Sequence, residues 1–218
     1  MARLSGVYDK SRPGLPRGRS RLPPEPAREE QRARMLRGTI SAVAEKGFAA
    51  TTVSDITARA RVSRREFYQQ FGDKQQCFLD SVTVGAEVVL TVLANSDDGD
   101  GDPMTLLRRR LHDYLALCSA EPEFTRCLIV ELPAVGPLGL AMRNAGYQRI
   151  AELLRRWHDG ARQVHPEWPP VPEAMFTAAI GAIEEMVLGP ISAGFPEELA
   201  DAEPAMVEVL CRLLAIPQ

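Results

Sequence analysis

From Met35 to Leu214, apolar residues return every three to four positions, and no stretch alternates convincingly at a period of two. That spacing lines one face of a 3.6-residue helix and cannot sort the two faces of a strand. The chain is therefore expected to be all-α, and prolines and glycines divide it. Met35, Leu36, Ile40, Val43 and Ala44 place a first helix over 27–46, with Gly47 at its C-cap. Two short helices follow at 53–60 and 64–71, then a long one at 73–94 through Cys77, Phe78, Val82, Ala86, Val89 and Leu93. Beyond an acidic, Gly-rich break at 95–103, five more are expected at 103–120, 122–132, 137–164, 172–193 and 202–215. They are punctuated by Pro122, Pro133, Pro137, Pro172, Pro196 and Pro204, for about nine helices in all.

The starts of the short helices are written locally. Thr52 with Asp55, and Ser63 with Glu66, have capping-box spacing, in which a hydroxyl and a carboxylate each satisfy an amide of the first turn. Gly72 stops the second short helix, and Asp73 with Gln76 caps the next.

Net charge separates the two ends of the chain. The whole carries −3, which at face value argues against a polyanionic partner. Residues 1–80, however, hold 16 Lys+Arg against 9 Asp+Glu, a net +7, and residues 81–218 hold 10 against 20, a net −10. A basic part that meets a polyanion and an acidic part that does not are the natural reading. Residues 1–26 alternate arginine with proline and hold almost nothing to pack, so a disordered arm is expected there. It is either a minor-groove or phosphate-tracking arm, or a solvated tail.

Several classes are set aside. No uninterrupted apolar run approaches the ~20 residues of a membrane span, and the N-terminus lacks the apolar core of a secretory signal. Four cysteines without a CxxC pair read as free thiols, so a cytoplasmic location is expected. His112, His158 and His165 have no metal-binding spacing, and the DDGDGD stretch matches a calcium loop only in composition. No cofactor, nucleotide-binding or nucleophile motif is present, so neither an enzyme nor a cofactor is expected.

Two short helices joined by Arg61-Val62-Ser63, the second carrying Arg64, Arg65, Gln69 and Gln70, have the layout of a helix-turn-helix. Val53, Ile56, Ala60, Val62, Phe67 and Phe71 would fix the crossing. On spacing alone, two amphipathic helices of an ordinary bundle read equally well. The wording of Thr51–Val82 adds more. Thr52, Ile56, Ala60, Val62-Ser63, Phe67-Tyr68, Phe71 and Lys74 fall at the spacing of the DNA-binding segment of the TetR family of bacterial repressors, which this stretch closely resembles. The match by motif covers about residues 30–82; the remainder matches only in helix count and length. Arg61 stands where the family often has glycine; if the turn takes a left-handed residue there, it costs ~1 kcal/mol.

The resemblance implies an N-terminal three-helix DNA-binding domain (27–82) and a C-terminal ligand-binding and dimerisation domain (83–218). Thr52 and Tyr68 would hold phosphates, and Lys74 would contact the backbone as a point charge. Arg64, Arg65, Gln69 and Gln70 are candidates for base edges, since Arg pairs with guanine and Gln with adenine. Ser63 is a DNA-facing candidate that also fits the helix cap. Partners would be double-stranded operator DNA, a small-molecule effector and a second copy of the chain, with no membrane. The last two helices carry apolar residues on more than one face (Phe176, Ile180, Met186 and Ile191; Met206, Leu210 and Leu213), as a four-helix dimer interface would require. The family's effector pocket would draw on Leu115, Cys118, Phe124, Cys127, Tyr147, Ile150, Leu154, Phe176 and Ile180, with Glu131 and Glu184 as charges inside apolar runs. For each, packing in the core or pairing within the chain is the competing reading. The rivals to a ligand-released repressor are an enzyme using the pocket and a ligand-independent DNA-binding or protein-interaction module.

Overall fold

A computed structural model describes residues 24–94 and 101–217. Most of the expected arm (1–23) and most of the acidic break (95–100) lie outside the described residues. Every regular element among the described residues is helical. They are α1 (Pro24–Lys46), α2 (Val53–Ala60), α3 (Arg64–Gln70), α4 (Lys74–Ala94), α5 (Pro103–Ala120), α6 (Pro122–Arg126), α7 (Leu132–Ala134), α8 (Pro137–Val164), α9 (Glu173–Ala193) and α10 (Leu199–Leu213).

Three boundaries differ from the periodicity, each for a local reason. α1 begins at Pro24, within the expected arm. A proline at the first helical position gives up only an amide that the first turn leaves unbonded. Between α6 and α7 the ladder widens into a π turn, Cys127–Glu131, in which the Leu132 amide donates to the Cys127 carbonyl. Pro133 has no amide for Ile129, and its ring would crowd that carbonyl; the wider turn just before it relieves both. α10 starts at Leu199 because the 3₁₀ turn Pro196–Glu198 runs straight into it, with Pro204 inside the helix. It ends at Leu213, where Ala215 turns left-handed (φ 50°) and the Ile216 amide closes back on the Cys211 carbonyl at 2.8 Å.

Among the described residues the core has three apolar clusters. Met35, Ala42, Ile56, Ala60, Phe67, Phe71 and Cys77 join α1 to α3 with the start of α4. A middle cluster packs Ile40 and Val43 of α1 and Phe78, Val82 and Val89 of α4 against Leu117, Phe124, Cys127 and Leu132. The third fills the space among α5, α8, α9 and α10. The middle cluster crosses the 82/83 boundary, so α4 serves both ends of the chain. Gly85 lets it come close: a Cβ there would lie 2.0 Å from Phe124 Cε2. By length and composition α4 and α9 could each cross a bilayer. Here both pack into the bundle, α4 on α1, α5 and α8, and α9 on α8 and α10.

Candidate functional site

The short helices α2 and α3 are set by their caps. The Thr52 hydroxyl accepts from the Asp55 amide at 3.2 Å, and the Thr52 amide donates to Asp55 Oδ2 at 2.9 Å. Lys46 Nζ donates to Asp55 Oδ1 at 2.5 Å; together with the bonds from Thr52 it holds the Asp55 carboxyl far below the usual range. Ser63 and Glu66 repeat the box at α3: the Ser63 amide reaches Glu66 Oε2 at 2.6 Å and the Glu66 amide reaches Ser63 Oγ at 3.1 Å. Those bonds from Ser63 keep the Glu66 carboxyl ionised below its ordinary pKa. Arg61 between the helices is left-handed, at φ 54° and ψ 45°, so it takes the conformation that a glycine adopts without strain.

Phe67 is fully buried beneath α3, and Arg64, Arg65, Tyr68 and Gln69 are exposed on its other side, with Gln70 partly so. Tyr68, an aromatic left 52% open, lies edge-on to Phe67, which fixes the ring while its hydroxyl stays outside. The arrangement offers two guanidiniums, two amides and a phenol on one rigid, capped turn. Thr52 is exposed at the start of α2.

Lys74 sits differently from its expected role as a phosphate contact. Its Nζ donates to the carbonyls of Phe48 (2.9 Å), Ala49 (3.0 Å) and Thr51 (2.7 Å), and lies 4.8 Å from the Phe48 ring centre. An ammonium has three donors, and all three are engaged. The geometry makes Lys74 a clamp on the α1–α2 turn. Glu131 also departs from expectation: it points at the same turn. It is 7% exposed, accepts from the Phe48 amide through Oε2 at 2.8 Å and lies 3.8 Å from Arg126. Its carboxylate lies over Gly47, whose φ of 79° ends α1. Both contacts join residues far apart in sequence, and no local pattern announces them.

A cavity of about 120 Å³ opens between α4, α5, α8, α9 and α10, with Leu128 of the π turn in its wall. Of the expected pocket residues, Ile150, Leu154, Ile180 and Glu184 line it. The others do not. Leu115, Cys118 and Phe176 are spent in the core around it, Phe176 edge-on to buried His158. Phe124 fills the space at Gly85, and Cys127 faces α1, its thiol reaching the Ile40 carbonyl at 3.5 Å. Tyr147 stands behind the wall, where its hydroxyl donates to Glu184 Oε2. Burial, then that bond, raises its phenol above the ordinary tyrosine range. The sequence reading missed Leu107, Arg110, Leu111 and Tyr114 of α5, although their own helical spacing marked that face. The wall is apolar except for Arg110, Glu184 and the tips of Tyr114 and Trp157. Burial pushes the Cys77 and Cys118 thiols up to about 12 and about 11, so both stay protonated and inert.

Residues 35–80 match the family profile of the bacterial regulatory proteins of the tetR family. The fold is similar to that of a TetR-like transcriptional regulator from Rhodococcus sp. RHA1, at a TM-score of 0.69 and 22% identity over 90% of this chain and all of that one. It is also similar to the fatty acid degradation regulator FadR from Bacillus halodurans (TM-score 0.73, 13% identity, 85% of this chain and 98% of that one). FadR from Bacillus subtilis, solved with stearoyl-CoA, is alike at a TM-score of 0.73 and 14% identity over 81% of this chain and 96% of that one. No curated protein matches the chain. The matched segment holds the paired capped helices, and the all-helical fold that carries it is similar to that of TetR-like regulators.

Proposed function

We propose that the protein is a homodimeric repressor that reads a palindromic operator through α3 and leaves it when a small apolar or amphipathic effector fills the cavity. One juxtaposition carries the reading. A rigid polar turn suited to a major groove sits at one end of α4, and a largely apolar cavity sits at the other. In this reading Arg64, Arg65, Gln69 and Gln70 meet base edges, and Thr52 and Tyr68 meet phosphates. Ser63 and Lys74 hold the turns that aim them. Residues 27–82 read DNA and 83–218 sense and dimerise.

A single reader buries too little surface for useful specificity, so two copies at paired half-sites are required. α9 supports a dimer face. Ala178, Gly181, Glu185 and Gly189 recur along its outer side, and a Cβ at Gly181 or Gly189 would meet nothing within 4 Å. Val209 and Leu213 of α10 are partly exposed beside it. The solved stearoyl-CoA complex of the B. subtilis FadR supports an effector with an apolar chain.

Coupling follows linkage: an effector that favours a conformation with altered reader spacing draws the dimer off DNA. The path runs from the wall residue Leu128 along the π turn to Glu131, and from there to the turn that Lys74 clamps. Coupling of about 1–3 kcal/mol changes operator affinity about 5–150-fold. Selection of bound genomic fragments by the full chain tests the reading. Enrichment of a two-fold symmetric site is expected; recovery of fragments without a shared sequence would overturn it, as would a monomer by light scattering at micromolar concentration.

A further inference from the structure

We propose that the cavity is built for a neutral alcohol or phenol, an apolar body with one hydroxyl that donates to Glu184 Oε1. The inference rests on the reading of the cavity as an effector site and goes on to name the head group. Glu184 is part of the cavity wall and 9% exposed. Both of its bonds from the protein fall on one oxygen: Arg143 Nη2 donates to Oε2 at 3.0 Å, and the Tyr147 hydroxyl donates to Oε2 as well. Among the described residues none donates to Oε1. A carboxylate oxygen without a donor in a largely apolar wall is the kind of sparse polar group that orients a ligand.

The other polar wall groups have partners elsewhere, although among the described residues the buried Nε of Arg110 has no hydrogen-bond acceptor. Trp157 Nε1 donates to the Pro103 carbonyl at 3.1 Å, the Tyr114 hydroxyl is bonded with Cys118, and Arg110 has a partner of its own. Charge then selects among head groups. Arg143 already balances Glu184, so an ammonium would bring a second, unmatched cation beside a guanidinium. A carboxylate would face Glu184 with like charge. An ether or ester has no proton to give. A hydroxyl supplies the absent donor, adds no charge, and makes a short charge-assisted bond. At about 10–15 Å³ per water-sized unit, about 120 Å³ admits roughly 8–12 non-hydrogen atoms.

The test is calorimetric titration of the full chain with an octyl series: 1-octanol, octyl methyl ether, octanoate and octylamine. 1-Octanol is expected to bind roughly 10- to 100-fold more tightly than each of the others. In Glu184→Met the preference of alcohol over ether should collapse to within about threefold, with ether affinity kept. Equal affinity for alcohol and ether in the wild type, or a tighter octanoate or octylamine, would overturn the head-group assignment while leaving an alkyl-binding cavity. Binding of no octyl compound would overturn the effector cavity itself. The wild-type series decides the matter even if the variant does not fold.

Discussion

Glu131→Ala isolates the contact between the two ends of the protein. In the native chain the carboxylate accepts from the Phe48 amide at 2.8 Å, in a setting where Glu131 is 7% exposed. Removing it leaves a half-buried backbone donor without an acceptor and loses a bond to a charged group. Leaving such a donor unmet costs about 1–3 kcal/mol. Arg126, 3.8 Å away with its side chain 38% exposed, returns to water at little cost. A net loss of about 2 kcal/mol lowers the melting temperature of a chain this size by about 4–8 °C. Glu131→Gln keeps a carbonyl for the Phe48 amide and should lose under about 1 kcal/mol. Calorimetry gives the stability, and hydrogen exchange at the Phe48 amide gives the local effect: faster exchange in Glu131→Ala, near-native exchange in Glu131→Gln. Equal stability of the two variants and the wild type, with unchanged Phe48 exchange, would refute the reasoning.

Three further outcomes follow from the geometry. Lys74→Ala should lower stability by about 1–3 kcal/mol and weaken DNA binding while leaving the salt slope unchanged, since its donors are held by three carbonyls; a slope lower by about one in mobility-shift titrations would show a phosphate contact instead. Gly85→Ala places a methyl group 2.0 Å from Phe124 Cε2 and should cost about 1–3 kcal/mol by denaturant unfolding, a loss that Phe124→Leu in the same chain relieves. His158 is buried, its Nε2 3.2 Å from the Leu214 carbonyl to which it donates, and burial lowers its pKa below 6.5. The unfolded chain therefore takes up this proton first: its contribution is whole above pH 6.5 and is lost as pH falls toward the folded value, so unfolding curves should show a slope below pH 6.5 that flattens in His158→Gln.

What could be read from the residues alone was what neighbours in sequence decide. Thr52 with Asp55 and Ser63 with Glu66 set α2 and α3 through contacts three residues apart, so this pair of short helices was legible almost to the residue. Helices α5, α8, α9 and α10 followed because each is longer than the spacing that reveals it. The π turn escaped because a five-residue widening barely alters apolar spacing; Pro133 was its one sign. The cavity was legible only in part. Periodicity shows that Cys118, Phe176 and Ile180 face inward, but not that Ile180 meets a void and the other two meet neighbours. Lys74 and Glu131 could not be placed, because their partners lie 23 to 26 and 83 residues away.

The central claim is that α3 reads sequence through Arg64. The direct measurement is a fluorescence-anisotropy titration of wild type and Arg64→Ala on a selected operator, its single-base variants and random DNA, at several salt concentrations. A bidentate contact predicts a loss of about 1–3 kcal/mol on the operator, abolished discrimination at one base position per half-site, and a much smaller change on random DNA. An equal loss on operator and random DNA would make Arg64 a phosphate contact and contradict the account.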